Sequence, residues 1–399
     1  MFARGAGRDG RATLRADAIP RVALTMLLAR IHRPVPLYWT SFLIVGLSLS
    51  ILGPALTELR DRAGVGIGSI GVLFVGQSAG YVVGSFVGGR LYDRYGGHHV
   101  YAGSLVVTAV GLASIPLLDS VGGLFASFVL VGVGAAVCDV GANALLLWEL
   151  GSANVRSMNV LHLCFGLGAL SAPLVVHLGL DTAVRGAAVL CVVIAGWAVS
   201  IPPPSVRSMT ASHHPEQTPR LLGLIAVFFF LYVGLEVGFA GWVHTYAEEI
   251  DFSDVGATWL TATFWIGFTA GRLLSSLVGH LVRPKVILTG ACASSVAVAV
   301  VLVVADGRAA PVWIATALFG LATAPQFPVM FSYLERRIHV TGSATAWFVG
   351  GAGVGGLVFP WLIGRWFDAS GAVALPWSIL VLSVLTVASF AAANRVLGG

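Results

Sequence analysis

Residues 135–148 read AAVCDVGANALLLW, and Asp139 stands in them inside an apolar run that extends over 122–147. Runs of this kind recur along nearly the whole chain. Of 399 residues, 57% are hydrophobic and 10% charged, and the mean hydropathy is +0.89. Soluble domains carry about 25% charged residues, so the composition indicates a membrane protein. About 20 apolar residues cross a ~30 Å hydrocarbon core. Twelve spans are expected, near 38–57, 70–90, 99–118, 122–147, 158–180, 184–202, 221–247, 255–280, 285–305, 310–334, 343–366 and 374–394. The polar stretches 1–36 and 204–220 leave little for a soluble domain. The net charge of +5 is therefore no argument for nucleic-acid binding.

Neighbouring spans run antiparallel, so the connections fall into two alternating sets. The set holding both termini carries 18 basic residues, Arg272 counted among them, and the other carries 5 (Arg60, Arg62, Arg185, Arg308 and Arg365). The positive-inside rule places both termini in the cytoplasm, with Glu248, Glu249, Asp251 and Asp254 on the opposite face. A multi-pass protein of the inner (plasma) membrane is expected. The segment RVALTMLLAR (21–30) is too short to span and has no cleavage site of small residues. Met26 is an alternative start to Met1, which peptide mapping distinguishes.

The chain carries signs of a duplication. VGLSLSILG (45–53) matches VGLEVGFAG (233–241) at an offset of 188, which pairs Ser48 with Glu236. GGRLYD (88–93) matches AGRLLS (270–275) at 182, and GLGALSAP (166–173) matches GVGGLVFP (353–360) at 187. Transporters are commonly built from such repeats, with the site between them near the bilayer midplane. The expected organisation is a basic arm (1–36), a six-helix bundle (37–203), a linker (204–220) and a second six-helix bundle (221–399).

GGRLYDRYGG (88–97) resembles the signature loop of the major facilitator superfamily. The motif's glycine, acid, base and second glycine fall on Gly89, Asp93, Arg94 and Gly96, while Gly97 and His98 stand where two basic residues usually end it. The resemblance implies an all-α fold of twelve transmembrane helices in two pseudo-symmetric bundles, and a gating role for those four residues. GLSLSILGPALTEL (46–59), FVGQSAGYVVGSFVGGRL (74–91), CDVGANALLLW (138–148), MNVLHLCFGLGALSAPLV (158–175) and YVGLEVGFAGWVHTY (232–246) are similar to the fucose:proton symporter group and its branch of sodium-dependent glucose transporters. This implies uptake of a hexose or related sugar with a cation, and a cavity lined by spans 1, 4, 7 and 10. Proton-coupled members carry an acid in span 1 as well, where this chain has Ser48 and Ser50.

Of 18 acidic residues, Asp139 and Glu236 fall deep in a span. Asp139 lies about 13 Å from Trp148 and Glu236 roughly 17 Å from the outer end of its helix, at 1.5 Å per residue. A charge there costs ~2.5–3.5 kcal/mol on insertion scales, and such residues usually face a cavity and serve ions or substrate. Both are read as ion-coupling groups. Hard oxygen ligands suit Na⁺, and a carboxyl group in a dry setting suits H⁺ equally well. For sugar hydroxyls the candidates are Asn143, one turn after Asp139, Asn159 and His162 on span 5, Trp242, Gln326 beside Pro325 and Pro328, and Trp347. Gln77 and His244 are further candidates. Against these stand plain packing roles, helix-to-helix bonds for buried amides and interfacial belts for tryptophans.

GAGVGG (351–356) matches the dinucleotide fingerprint letter for letter, but that pattern needs a strand and a βαβ unit. Close helix packing is the expected use of these glycines. Cys138, Cys164, Cys191 and Cys292 have no metal or disulfide spacing. The pairs His98–His99 and His213–His214 read as solvated. No metal, cofactor beyond the coupling ion, or catalytic residue is indicated. A secondary transporter acting as a monomer on a small molecule is expected; a drug or lipid exporter is the alternative, with an intramembrane enzyme or a transport-inactive sensor more remote.

Overall fold

A computed structural model describes residues 34–95, 97–150, 155–204, 219–279, 281–337 and 342–398. The arm up to residue 33 with Met26, linker residues 205–218 with the His213–His214 pair, Gly96 and the side chain of Asp93 lie outside the described residues. Fifteen α-helices make up the described chain: α1 (Val35–Ser50), α2 (Leu52–Ala63), α3 (Ile67–Ile70), α4 (Val72–Tyr95), α5 (Gly97–Ser114), α6 (Val121–Leu150), α7 (Val155–His177), α8 (Leu180–Ser200), α9 (Pro219–Glu249), α10 (Asp254–Val278), α11 (Pro284–Ala305), α12 (Ala309–Thr323), α13 (Gln326–Glu335), α14 (Gly342–Ser370) and α15 (Ala374–Gly398). Among the described residues, nine helical stretches are long and apolar enough to cross a membrane, or ten if α1 and α2, bent by 43°, count as one.

Prolines explain the breaks. Pro54 cannot donate to the Ser50 carbonyl one turn back, and α1 gives way to α2 at Ile51. Pro325 separates α12 from α13 in the same way. Pro173 lies inside α7 and Pro360 inside α14. By its missing N–H, Pro360 leaves the Gly356 carbonyl without a helical donor; Ser78 Oγ on α4 supplies one at 2.9 Å.

Packing follows a repeated plan. In the first half α4 packs on α6, α1 on α7 and α5 on α8; in the second, α10 packs on α12, α9 on α14 and α11 on α15. The halves meet where α7 lies against α10 and α4 against α14. A Cβ at Gly168 on α7 would strike the Leu43 carbonyl on α1, and one at Gly355 on α14 the Phe230 carbonyl on α9. Both members of this second contact lie 187 residues after the first. The glycines of GAGVGG thus serve helix packing.

The same contacts correct the registers read from letters. Gly84 abuts Val133 and Gly271 abuts Leu321, so Gly84 and Gly271 are equivalent and Ser85, not Arg90, corresponds to Arg272. Gly89 would carry a Cβ with nothing within 4 Å, so the offset of 182 followed a shared GR dipeptide rather than a packing position. By the Leu43–Phe230 register, Leu49 and not Ser48 stands opposite Glu236.

Of the His98–His99 pair, His99 is exposed as expected but His98 is not. His98 is buried, its Nδ1 2.7 Å from the Ile201 carbonyl and its Nε2 2.8 Å from the Tyr38 hydroxyl. The carbonyl can only accept, so Nδ1–H donates to it. Gly97, in place of the usual basic residue, has φ +72°, which favours glycine and turns α4 into α5. Arg94, in the last turn of α4, lies over the Tyr95 ring at 5.4 Å.

Among the described residues, several contacts between the halves lie at the end that carries Glu248. There Thr57 Oγ1 donates to Glu248 Oε2 (2.6 Å), Gly68 N to Asp368 Oδ1 (2.8 Å), and His177 Nδ1 lies 2.7 Å from Asp254 Oδ2. Trp242 stacks on Phe367 at 5.1 Å and lies tilted against Phe74 at 5.7 Å. This end is closed.

Candidate functional site

The two deep carboxyls are each anchored by a tyrosine. On α6, Asp139 Oδ2 accepts the hydroxyl of Tyr81 on α4, and Oδ1 accepts Nδ2 of Asn143 at 2.8 Å. Asn143 reaches it because four residues make about one helical turn. On α9, Glu236 Oε2 accepts the hydroxyl of Tyr232, again four residues away. Among the described residues no other donor bonds Glu236. Both acids are half-buried and Tyr232 is fully buried.

The cation of this site is Arg272. It lies inside α10, not in a connection as its place in the basic count implied. Its charge acts on Asp139, Glu236 and His162. The guanidinium sits 4.7 Å over the Phe268 ring, and its Nε is buried with no hydrogen-bond partner. Moving Arg272 out of the connections leaves the basic bias of 17 to 5 unchanged in direction. One turn on, Ser276 Oγ accepts Nδ2 of Asn159 at 2.8 Å, which ties α7 to α10 beside the arginine. His162, one turn along α7, is exposed, with the Phe42 ring edge-on at 5.7 Å.

The structure therefore gathers Asp139, Asn143, Asn159, His162 and Glu236 around Arg272, and adds Tyr81 and Tyr232. The other candidates stand elsewhere. Gln326 is fully buried, its Nε2 donating to Ser295 Oγ (2.8 Å) and the Ala322 carbonyl (3.2 Å). Trp242 is fully buried and donates to the Pro360 carbonyl at 2.8 Å. Gln77 donates to the Leu49 carbonyl at 3.3 Å. His244 faces Glu248 at the closed end, and Trp347 is 60% exposed. The four cysteines are free, three of them buried.

The arrangement sets two carboxyls within the field of one guanidinium. With both carboxyls ionised, the three groups would leave one negative charge to be matched, by a proton on a carboxyl or by another cation, since buried charges are costly unless matched. Two tyrosine hydroxyls fix the carboxyls in place.

The sequence profile of the Major Facilitator Superfamily matches residues 38–360. The chain is 27% identical over 372 residues to sodium-dependent glucose transporter 1A of Mus musculus, covering 82% of this chain and 88% of that one. It is 28% identical over 370 residues to sodium-dependent glucose transporter 1 of Homo sapiens, covering 81% and 71%. Among solved structures, a point mutant of the nucleoside transporter NupG superposes with a TM-score of 0.72 at 16% identity, over 90% of this chain and 98% of that one.

Proposed function

Since the chain belongs to the Major Facilitator Superfamily, and is thus a membrane transporter rather than an enzyme, we propose that it takes up a hexose or related sugar by alternating access, driven by Na⁺ or H⁺. The observation that carries this reading is the pair of mid-helix carboxyls, Asp139 in the first half and Glu236 in the second, under the shared charge of Arg272. One positive charge against two negative ones leaves the site short of a cation. Binding that cation removes the excess charge and lets the halves rock over the site at lower electrostatic cost. Asp139 has both oxygens occupied by protein donors, whereas Glu236 accepts from Tyr232 alone and keeps an oxygen for the ion or a sugar hydroxyl. Asn143, Asn159, His162 and the buried Nε of Arg272 supply the remaining polar contacts. The likeness to transporters whose names specify sodium and glucose supports the choice of ligand and ion. The amide and imidazole groups beside the two acids suit a hydroxylated solute better than the apolar body of a drug or lipid.

We read the topology as twelve spans in two bundles of six. α10 has 25 residues, about 37 Å at 1.5 Å per residue, enough to cross. The stretch 347–397 divides at Gly371, where φ is +65°, into α14 and α15. The basic bias places the 205–218 linker and both termini in the cytoplasm, and the closed Glu248 end outside. Asp93, Arg94, Gly89 and Gly96 then form the cytoplasmic gate. The transporter works as a monomer in the plasma membrane.

The test is purified protein in liposomes, with labelled glucose, galactose and fucose, under an imposed inward Na⁺ or H⁺ gradient. Accumulation above the external concentration with one of the two gradients is expected. Equal inside and outside concentrations under both gradients would refute the coupling.

A further inference from the structure

The closed end contains a cluster that the transport site does not use. His244 and Glu248 stand four residues apart on one face of α9, and Asp254 opens α10 across the turn at Asp251, whose φ is +63°. One nitrogen and two carboxylate oxygens of these residues lie within 4.8 Å of one another. His244 is 5% exposed, and its Nδ1 is buried without a hydrogen-bond partner, facing Glu248 Oε2 at 3.7 Å. A buried imidazole nitrogen left unbonded is costly, so the position calls for a partner. Asp254, by contrast, is exposed and opens the cluster to water.

We propose that His244, Glu248 and Asp254 form a Zn²⁺ site that is complete when the Glu248 end is closed, and that the ion holds this end shut. One imidazole and two carboxylates at the corners of a small triangle match zinc sites with three protein ligands and a water. Bonds of about 2.0–2.2 Å require the three ligand atoms, which lie within 4.8 Å of one another, to draw together around the ion. Na⁺, Mg²⁺ and Ca²⁺ favour all-oxygen sets, whereas imidazole selects the later transition metals and zinc.

The link to closure lies in the groups that orient the ligands. Glu248 is held by Thr57 on α2 and Asp254 by His177 on α7, both from the other half of the molecule. Such outer partners commonly change metal affinity by about 10–100-fold. When the halves part at this end, Thr57 and His177 leave and the carboxylates lose their aim. Zn²⁺ therefore binds the closed form more tightly and shifts the population toward it.

The experiment uses the full-length purified protein, with neither substrate nor ion gradient, so that its outcome is independent of the transport reading. Zn²⁺ binding is followed by calorimetry and by thermal shift. One saturable equivalent and a raised Tm are expected, unaffected by excess Mg²⁺ or Ca²⁺. Glu248→Gln keeps the shape and the Thr57 contact but should abolish binding, as should His244→Ala. Thr57→Val and His177→Ala should each weaken it about tenfold or more. Absence of saturable binding, or binding that survives Glu248→Gln, overturns the site. Binding unchanged in both Thr57→Val and His177→Ala overturns the link to closure.

Discussion

The Tyr81 hydroxyl on α4 donates to Oδ2 of Asp139 on α6, so the carboxyl of one helix is aimed by its neighbour. A hydrogen bond to a charged group is worth about 1.5–3 kcal/mol. Tyr81→Phe should therefore shift the half-saturating cation concentration about tenfold or more. An ionised carboxylate that loses a donor takes up H⁺ more readily, whereas one that loses its aim coordinates Na⁺ less well. The sign of the shift, measured as uptake against pH and Na⁺, identifies the ion. Asp139→Asn should end accumulation altogether while the protein stays in the membrane; undiminished accumulation in that variant removes its coupling role.

Arg272 sets the charge count of the site. Arg272→Gln leaves two acids without their cation and should lower both accumulation and thermal stability. Adding Glu236→Gln restores the balance, so the double variant should regain part of the lost stability, with an interaction energy of about 0.5–3 kcal/mol. Strictly additive losses in melting experiments would show that the two charges do not interact.

The close helix approaches make a prediction about glycine. At Gly168 and Gly355 any side chain meets a neighbouring backbone carbonyl, which cannot swing aside. Overpacking usually costs about 1–3 kcal/mol, and Leu at either position should exceed that and reduce the folded yield. Gly103, with nothing within 4 Å of a Cβ, accepts Ala, with a gain in helix stability of roughly 0.5–1 kcal/mol. Size-exclusion profiles and melting temperatures of the three variants check this.

The topology is open to a direct check. Green fluorescent protein at the C-terminus should fluoresce and alkaline phosphatase there should be inactive, while phosphatase inserted after Asp251 should be active. The reverse pattern would invert the proposed orientation.

Much of the site was legible from spacing. Asp139 and Asn143 stand one turn apart, and an acid in hydrocarbon is conspicuous in any sequence. Tyr81 was not legible, because its contact with Asp139 crosses two helices. Tyr232 has the right spacing to Glu236, but in FFFLYVGLE a tyrosine looks like core. Arg272 was not legible as a site residue, because a base near the end of an apolar span reads as part of the cytoplasmic connection, although α10 continues to Val278. The repeat was legible in outline, yet its registers were not, since packing glycines and not shared dipeptides fix which residues correspond. The Zn²⁺ cluster draws Asp254 from a second helix, and His244 and Glu248 alone form no metal motif.

Pro360 frees the Gly356 carbonyl, and Ser78 on the opposite half takes it up. An oxygen with no donor in its own helix must find water whenever that serine withdraws. Rocking of the halves would then wet and dry one identifiable atom in each turnover. Carbon-13 placed at that carbonyl would turn it into an infrared clock for the cycle, read as a line that moves with hydration, without any label attached to the protein's surface.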